Sequence, residues 1–148
     1  MLQAARVDTV LVRSAAMNKD VKVVYVLPDK AIGKQACPVV YLLHGYGGNA
    51  RSWMQLKPEL PQMADEKGII FVCPDGKNSW YWDSPENPAY RYETFVTSEL
   101  VKYTDGNYAT IPDSKARAIS GLSMGGHGAL WSAIRHKDVF GAAGSMSG

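Results

Sequence analysis

Cysteine is scarce in this sequence: Cys37 and Cys73 are the only two in 148 residues. They are too far apart for a C-x-x-C pair and have no Cys or His beside them at zinc-ligand spacing. That leaves no redox motif and no metal site, and both read as buried free thiols at or beside strands. No apolar run approaches the length of a membrane span, and no basic segment leading into an apolar stretch opens the chain. The missing leader fits a cytoplasmic protein and equally a periplasmic or secreted one whose signal has been removed, so the compartment stays open. An excess of one charge is also lacking. Lys and Arg number 16 against 14 Asp and Glu, a net charge of +2, which is no electrostatic footprint for nucleic acid or an anionic membrane. Small-molecule or carbohydrate ligands suit such a chain better. There is no repeat, no low-complexity tract and no linker, so residues 1–148 are expected to form a single domain.

What is present points to an α/β architecture. With 46% hydrophobic and 20% charged residues the chain can bury one core. Val7 to Val12 and Val21 to Leu27 alternate and are β-branched, and predict an antiparallel opening pair. Val39 to Leu43 and Ile69 to Cys73 are continuously apolar, as expected of strands covered on both faces. Between them a helix is expected over Leu60 to Lys67, stopped by Gly68. A second helix is expected from about Tyr90 to Thr104, with Tyr92, Phe95, Val96, Leu100 and Tyr103 on one face. Lys115 to Gly121 predicts another strand. Gly125 to Arg135 predicts a helix with Ala129, Leu130, Ala133 and Ile134 inward, and Phe140 to Met146 a further buried strand. Alternating strands and helices of this kind build a mostly parallel sheet flanked by helices.

The chemistry concentrates in two glycine-rich turns. Gly121-Leu122-Ser123-Met124-Gly125-Gly126 is a G-x-S-x-G pattern lying after a strand and before a helix. In that context the glycines permit a sharp turn that exposes a serine hydroxyl, and side chains two residues to either side would collide. Ser123 is therefore the candidate nucleophile, and the Met124 N–H, at the helix N-terminus, the first candidate oxyanion donor. His44-Gly45-Tyr46-Gly47-Gly48 ends an earlier strand, and the Tyr46 N–H is the second candidate donor. A phosphate-cradling nest is the competing reading of that loop, although no Walker lysine and no G-x-G-x-x-G accompany it. His44 reads as a brace for the loop rather than a base.

Several stretches together carry a resemblance: Val39 to Asn49, Ser52-Trp53, Val72 to Gly76, Ser79-Trp80-Tyr81, and Gly121 to Ala129. In this order the chain resembles the esterase branch of the α/β-hydrolases that includes esterase D, S-formylglutathione hydrolase, tributyrin esterase and the microbial feruloyl and acetyl-xylan esterases. The resemblance covers nearly the whole chain. It implies an α/β-hydrolase fold, ester hydrolysis through an acyl-serine intermediate, and no metal or organic cofactor. Ser123 matches the family nucleophile, and Met124 and Tyr46 the oxyanion donors. Trp53, Trp80 and Tyr81 fall on loops after central strands and are candidates for substrate binding, with Trp82 either in that pocket or covering the sheet edge.

The acid and base of a triad are harder to place. In this fold they follow the serine along the chain, yet only 25 residues follow Ser123. His127 lies one helical turn on, His136 near the far end of the helix, and neither comes from a loop after a late strand. Asp138, the only downstream acid, reads as a solvated charge, as do Arg51 and Arg91. The expectation is an N-terminal portion of the domain, lacking the last strands, with the triad acid and base supplied by a complementing C-terminal segment or through association of chains. The alternatives that remain open are a non-catalytic carbohydrate- or ester-binding protein and an acyltransferase acting on a sugar.

Overall fold

The computed structural model describes residues 5–146; the ends of the expected 1–148 domain lie outside the described residues. Among the described residues six strands form one sheet. The opening pair is longer than its apolar alternation suggests: β1 (Arg6–Ser14) and β2 (Lys19–Leu27) pair antiparallel over their full lengths. β2 continues antiparallel against β4 (Ile70–Pro74), and from there the sheet is parallel through β3 (Val39–Leu43), β5 (Arg117–Gly121) and β6 (Ala142–Ala143).

Strand alternation divides the apolar residues into two cores. Tyr25, Tyr41, Leu43, Ile70 and Val72 face one side, packed with Tyr92, Phe95, Leu100, Met124 and Ala129. Val24, Val26, Leu42, Phe71 and Cys73 face the other, packed with Trp53, Leu60 and Ala64. Both faces are covered, which is why these strands read as unbroken apolar runs. The second layer comes from α2 (Ser52–Leu56) and α3 (Leu60–Lys67), while α1 (Asp29–Ile32) adds Ala31 to the first core; α3 ends where Gly68 takes φ 65°. The first face carries α4 (Tyr92–Thr94), a π-helical turn over Phe95–Glu99 and α5 (Leu100–Asn107), one continuous helical segment, together with α6 (Met124–Arg135).

Two expectations are corrected. In α6 the inward positions are Gly125, Gly126, Gly128, Ala129 and Ser132, whereas Leu130 and Ile134 are exposed. The helix approaches the sheet on its smallest residues, because the elbow before it brings backbone close to backbone. The segment Phe140 to Met146 is not a buried strand. Only Ala142–Ala143 pair with β5, both are exposed, and Met146 adds one isolated bridge to Leu122.

Candidate active site

The helices after β3 lie on one face and the helix after β5 on the other, although the two strands are neighbours. Chain segments leaving adjacent strands in opposite directions open a crevice at their C-terminal ends, where open α/β sheets bind ligands. Both glycine-rich turns lie at this point, since Leu43 pairs with Gly121 in register.

The turn after β5 is a strained elbow. Ser123 holds φ 56° and ψ −115°, a left-handed conformation that costs a non-glycine residue on the order of 1–3 kcal/mol. The surroundings enforce it. The Ser123 N–H donates to the Met146 carbonyl (2.7 Å), the Leu122 N–H to that of Leu43 (3.2 Å) and the His127 N–H to that of Ser123 (3.0 Å). A Cβ on Gly121 would stand 2.1 Å from the Gly125 carbonyl oxygen, and one on Gly125 2.1 Å from that of Leu43. Glycine is thus obligatory at both positions, and the Ser123 side chain is left exposed on the crest.

The turn after β3 lies against the elbow: a Cβ on Gly45 would be 3.6 Å from the Ser123 Cβ. Tyr46 is 67% exposed. Among the described residues neither the Tyr46 nor the Met124 amide donates to a protein acceptor. His44 is buried; its Nδ1 bonds the Gly45 carbonyl (2.6 Å) and its Nε2 accepts from the Gly76 N–H (2.9 Å). This requires the neutral Nδ1–H tautomer and leaves no nitrogen free for base chemistry. Asp75 lies 3.4 Å from the same Nε2. Burial acts to push its carboxyl up, while the Lys77 N–H and the Lys77 ammonium favour its charged form.

The other histidines do not approach Ser123 as bases. The His127 ring stacks on Trp131 and meets Trp80 edge-on, and His136, at the far end of α6, pairs with Glu93 at 2.7 Å. Asp138, Arg51 and Arg91 are exposed. Neither thiol is a rival nucleophile: both are buried, and burial alone pushes Cys73 up to about 12.

Of the aromatics, Trp53 is buried, donates its Nε1–H to the Leu43 carbonyl (2.9 Å), and lines a cleft of about 480 Å³ with Tyr46, Gln55, Leu56 and Leu122. Trp80 and Trp82 are 44% and 52% exposed. Tyr81, expected in the substrate pocket, is instead fully buried. Its hydroxyl donates to the His44 carbonyl (3.0 Å) and its ring fills the space that a Cβ on Gly76 or Gly128 would need. It supports the glycine-rich loop after β3 and has no surface for a ligand.

Two partners escaped sequence reasoning. Asn78 accepts from the Gly47 N–H (2.7 Å), tying the aromatic loop to the glycine loop. Nothing local marks it. Glu93 bonds Trp131, Arg135 and His136 at 3.0, 2.8 and 2.7 Å, joining α4 to α6. Its signal was an acid between Tyr92 and Phe95 on an otherwise apolar face.

A mixed sheet with helices on both faces and a serine elbow at the switch point define an α/β-hydrolase fold. The family model described as "Putative esterase" matches residues 14–148, and the chain belongs to that Esterase family. It is 29% identical over 136 residues to an acetyl esterase of Caldicellulosiruptor saccharolyticus, covering 86% of this chain and 50% of that protein. Against the diacylglycerol acyltransferase/mycolyltransferase Ag85A of Mycobacterium gordonae the identity is 34% over 151 residues, covering 95% and 42%. The S-formylglutathione hydrolase structure from Agrobacterium tumefaciens superposes with a TM-score of 0.85 at 28% identity, over 95% of this chain and 57% of that one. The chain spans about half the length of the relatives it matches.

Proposed function

We propose that this chain carries the nucleophile and oxyanion hole of a serine carboxylesterase acting on short-chain, acetyl or feruloyl-type esters. The observation that supports this most is the Ser123 elbow, a strained and exposed serine beside two amides without protein acceptors. In this reading Ser123 Oγ attacks the ester carbonyl and its proton passes to a histidine base. The Met124 and Tyr46 amides hold the resulting oxyanion. Collapse breaks the bond to the alcohol, which leaves with the proton from the base, and water then releases the acid from the acyl-serine. The three histidines described here are engaged elsewhere, so the base and its carboxylate partner are assigned to residues outside this sequence. In this scheme a complementing segment carries them. Trp53, beside the oxyanion loop, and Trp80 are the candidate substrate contacts, and no metal or organic cofactor enters the scheme.

Hydrolysis of p-nitrophenyl acetate and covalent labelling by a fluorophosphonate probe test the assignment. Both are expected when the segment that carries the base and acid is present, and both should vanish in Ser123→Ala. Labelling that persists in Ser123→Ala would overturn it. Acyl transfer to a sugar hydroxyl is a second reading, favoured by the 34% identity to an acyltransferase; product analysis with alcohol acceptors separates the two.

A further inference from the structure

A groove of about 420 Å³ opens at the other end of β5 from the serine elbow. Arg117, the first residue of that strand, forms its floor, whereas Ser123 lies just beyond the last, Gly121. One wall is the π-helical turn and α5, which bring Ser98, Val101 and Lys102; the facing wall is the segment that leaves α6, with Asp138 and Val139. Single π-helical turns inside longer helices are rare and recur at functional sites.

Arg117 is the unusual member of this set. It is only 8% exposed, and burying a guanidinium is costly unless its charge is matched and its five N–H groups find acceptors. Nη2 donates to Asp105 and Nη1 to the Val139 carbonyl, each at 2.8 Å, while Nε has no acceptor among the described residues. The charge is therefore matched, but the fork is only partly engaged. An anionic oxygen resting on the floor of the groove would take up N–H groups that the fold leaves over.

The walls add one charge of each sign. Lys102 and Asp138 are both exposed, and among the described residues neither takes part in an ion pair. His136, which also borders the groove, is held by Glu93 at 2.7 Å. A plain anion would be drawn by Lys102 and Arg117 and repelled by Asp138, and a plain cation would meet the reverse. A molecule with both charges on one carbon, and an apolar group beside them, satisfies the floor, both walls and the two valines at once.

We propose that this groove binds a free α-amino acid with an apolar side chain. Its carboxylate rests on Arg117 and Lys102 with the Ser98 hydroxyl as a further donor, its ammonium faces Asp138, and its side chain lies against Val101 and Val139. The site is separate from the serine elbow and does not depend on the esterase reading.

Ligand-observed NMR titration of the full chain with L-valine, L-leucine and L-phenylalanine tests it. At least one is expected to bind saturably with a Kd of about 1 mM or tighter, and equally well to Ser123→Ala. N-acetylation removes the ammonium and amidation removes the carboxylate, and each should weaken binding about tenfold or more. Lys102→Met and Asp138→Asn should do the same; both positions are exposed, so the variants should fold, which circular dichroism verifies. Failure of all three amino acids to bind, or unchanged binding in both variants, overturns the proposal. So does full affinity in the acetylated or the amidated derivative. Inorganic phosphate binding as tightly as the best amino acid would make the groove a plain anion site and overturn it too. Amino-acid binding without ester hydrolysis strikes the esterase reading instead and leaves this one standing.

Discussion

Adding one methyl group at Gly121 should damage this protein more than the same change at Gly106, and the two glycines form a matched pair. A Cβ at Gly121 would lie 2.1 Å from the Gly125 oxygen, 2.2 Å from its carbonyl carbon and 2.7 Å from the Gly126 nitrogen. All three are backbone atoms at the start of α6, so no side chain can rotate away. Restoring ordinary contact moves the helix N-terminus from β5 by about 1 Å or more. Overpacking against side chains costs about 1–3 kcal/mol, and rigid backbone belongs at or above the top of that range. At about 3 °C per kcal/mol for a chain of this size, Gly121→Ala should lower Tm by roughly 9 °C. Because Ser123 and the Met124 amide ride on the displaced segment, fluorophosphonate labelling should slow by about 100-fold. Gly106 lies exposed in α5, with no atom within 4 Å of a Cβ there. Gly106→Ala should therefore raise stability by about 0.5–1 kcal/mol through helix propensity and a less flexible unfolded chain. Thermal melts of the two variants, followed by circular dichroism, make the comparison. A Gly121→Ala protein melting within about 2 °C of wild type would refute the steric reasoning.

Ser123→Gly should be more stable than Ser123→Ala by about 1 kcal/mol in urea midpoints, because glycine relieves the left-handed strain that alanine keeps; equal midpoints would mean the elbow stores none. Tyr81→Phe removes a buried donor to the His44 carbonyl and should cost about 1–2 kcal/mol, with Tyr81→Ala costing more and loosening the Trp80 and Trp82 rings, as near-ultraviolet dichroism would report. Burial acts to raise the Glu93 carboxyl, but bonds from Arg135, His136 and Trp131 outweigh it and hold the group below the usual carboxylate value. A lowered folded pKa means that this stabilisation is fully present above the unfolded value of about 4.3 and is lost as pH falls through the lower folded value. The stability gap between wild type and Glu93→Gln should accordingly be constant from pH 7 to about 5 and shrink on further acidification; a gap that widened in acid would contradict the ion-pair reading.

Elements whose burial is decided by the sheet were readable from composition and period. Val39 to Leu43 and the run ending at Cys73 are covered on both faces, so every residue had to be apolar. Leu130 and Ile134 were misplaced for a complementary reason. Helical period identifies a stripe, but the approach of α6 to the sheet is controlled by the Gly121–Gly125 contact, and that contact turns the small residues inward. The strand expected over Phe140 to Met146 was small and apolar, yet apolar composition does not secure burial: the Gly141, Gly144 and Met146 amides bond β5 carbonyls, while Ala142, Ala143 and Met146 stay exposed. Tyr81 looked like a pocket residue between two tryptophans, because its local sequence says nothing of the two glycines, Gly76 and Gly128, that receive its ring.

The sequence by itself determined where the candidate chemistry sits. A serine between glycines, after a buried strand and before a helix, is a local steric necessity that holds before any packing is known. Tertiary structure alone decided what surrounds it. The roles of His44, Asn78, Tyr81 and Glu93 depend on partners some 30 to 50 residues away in the chain, brought within 3 Å only when β3, β4, β5 and the helices on one face close around a common switch point. No periodicity encodes those meetings, because they are set by how two independently readable segments pack.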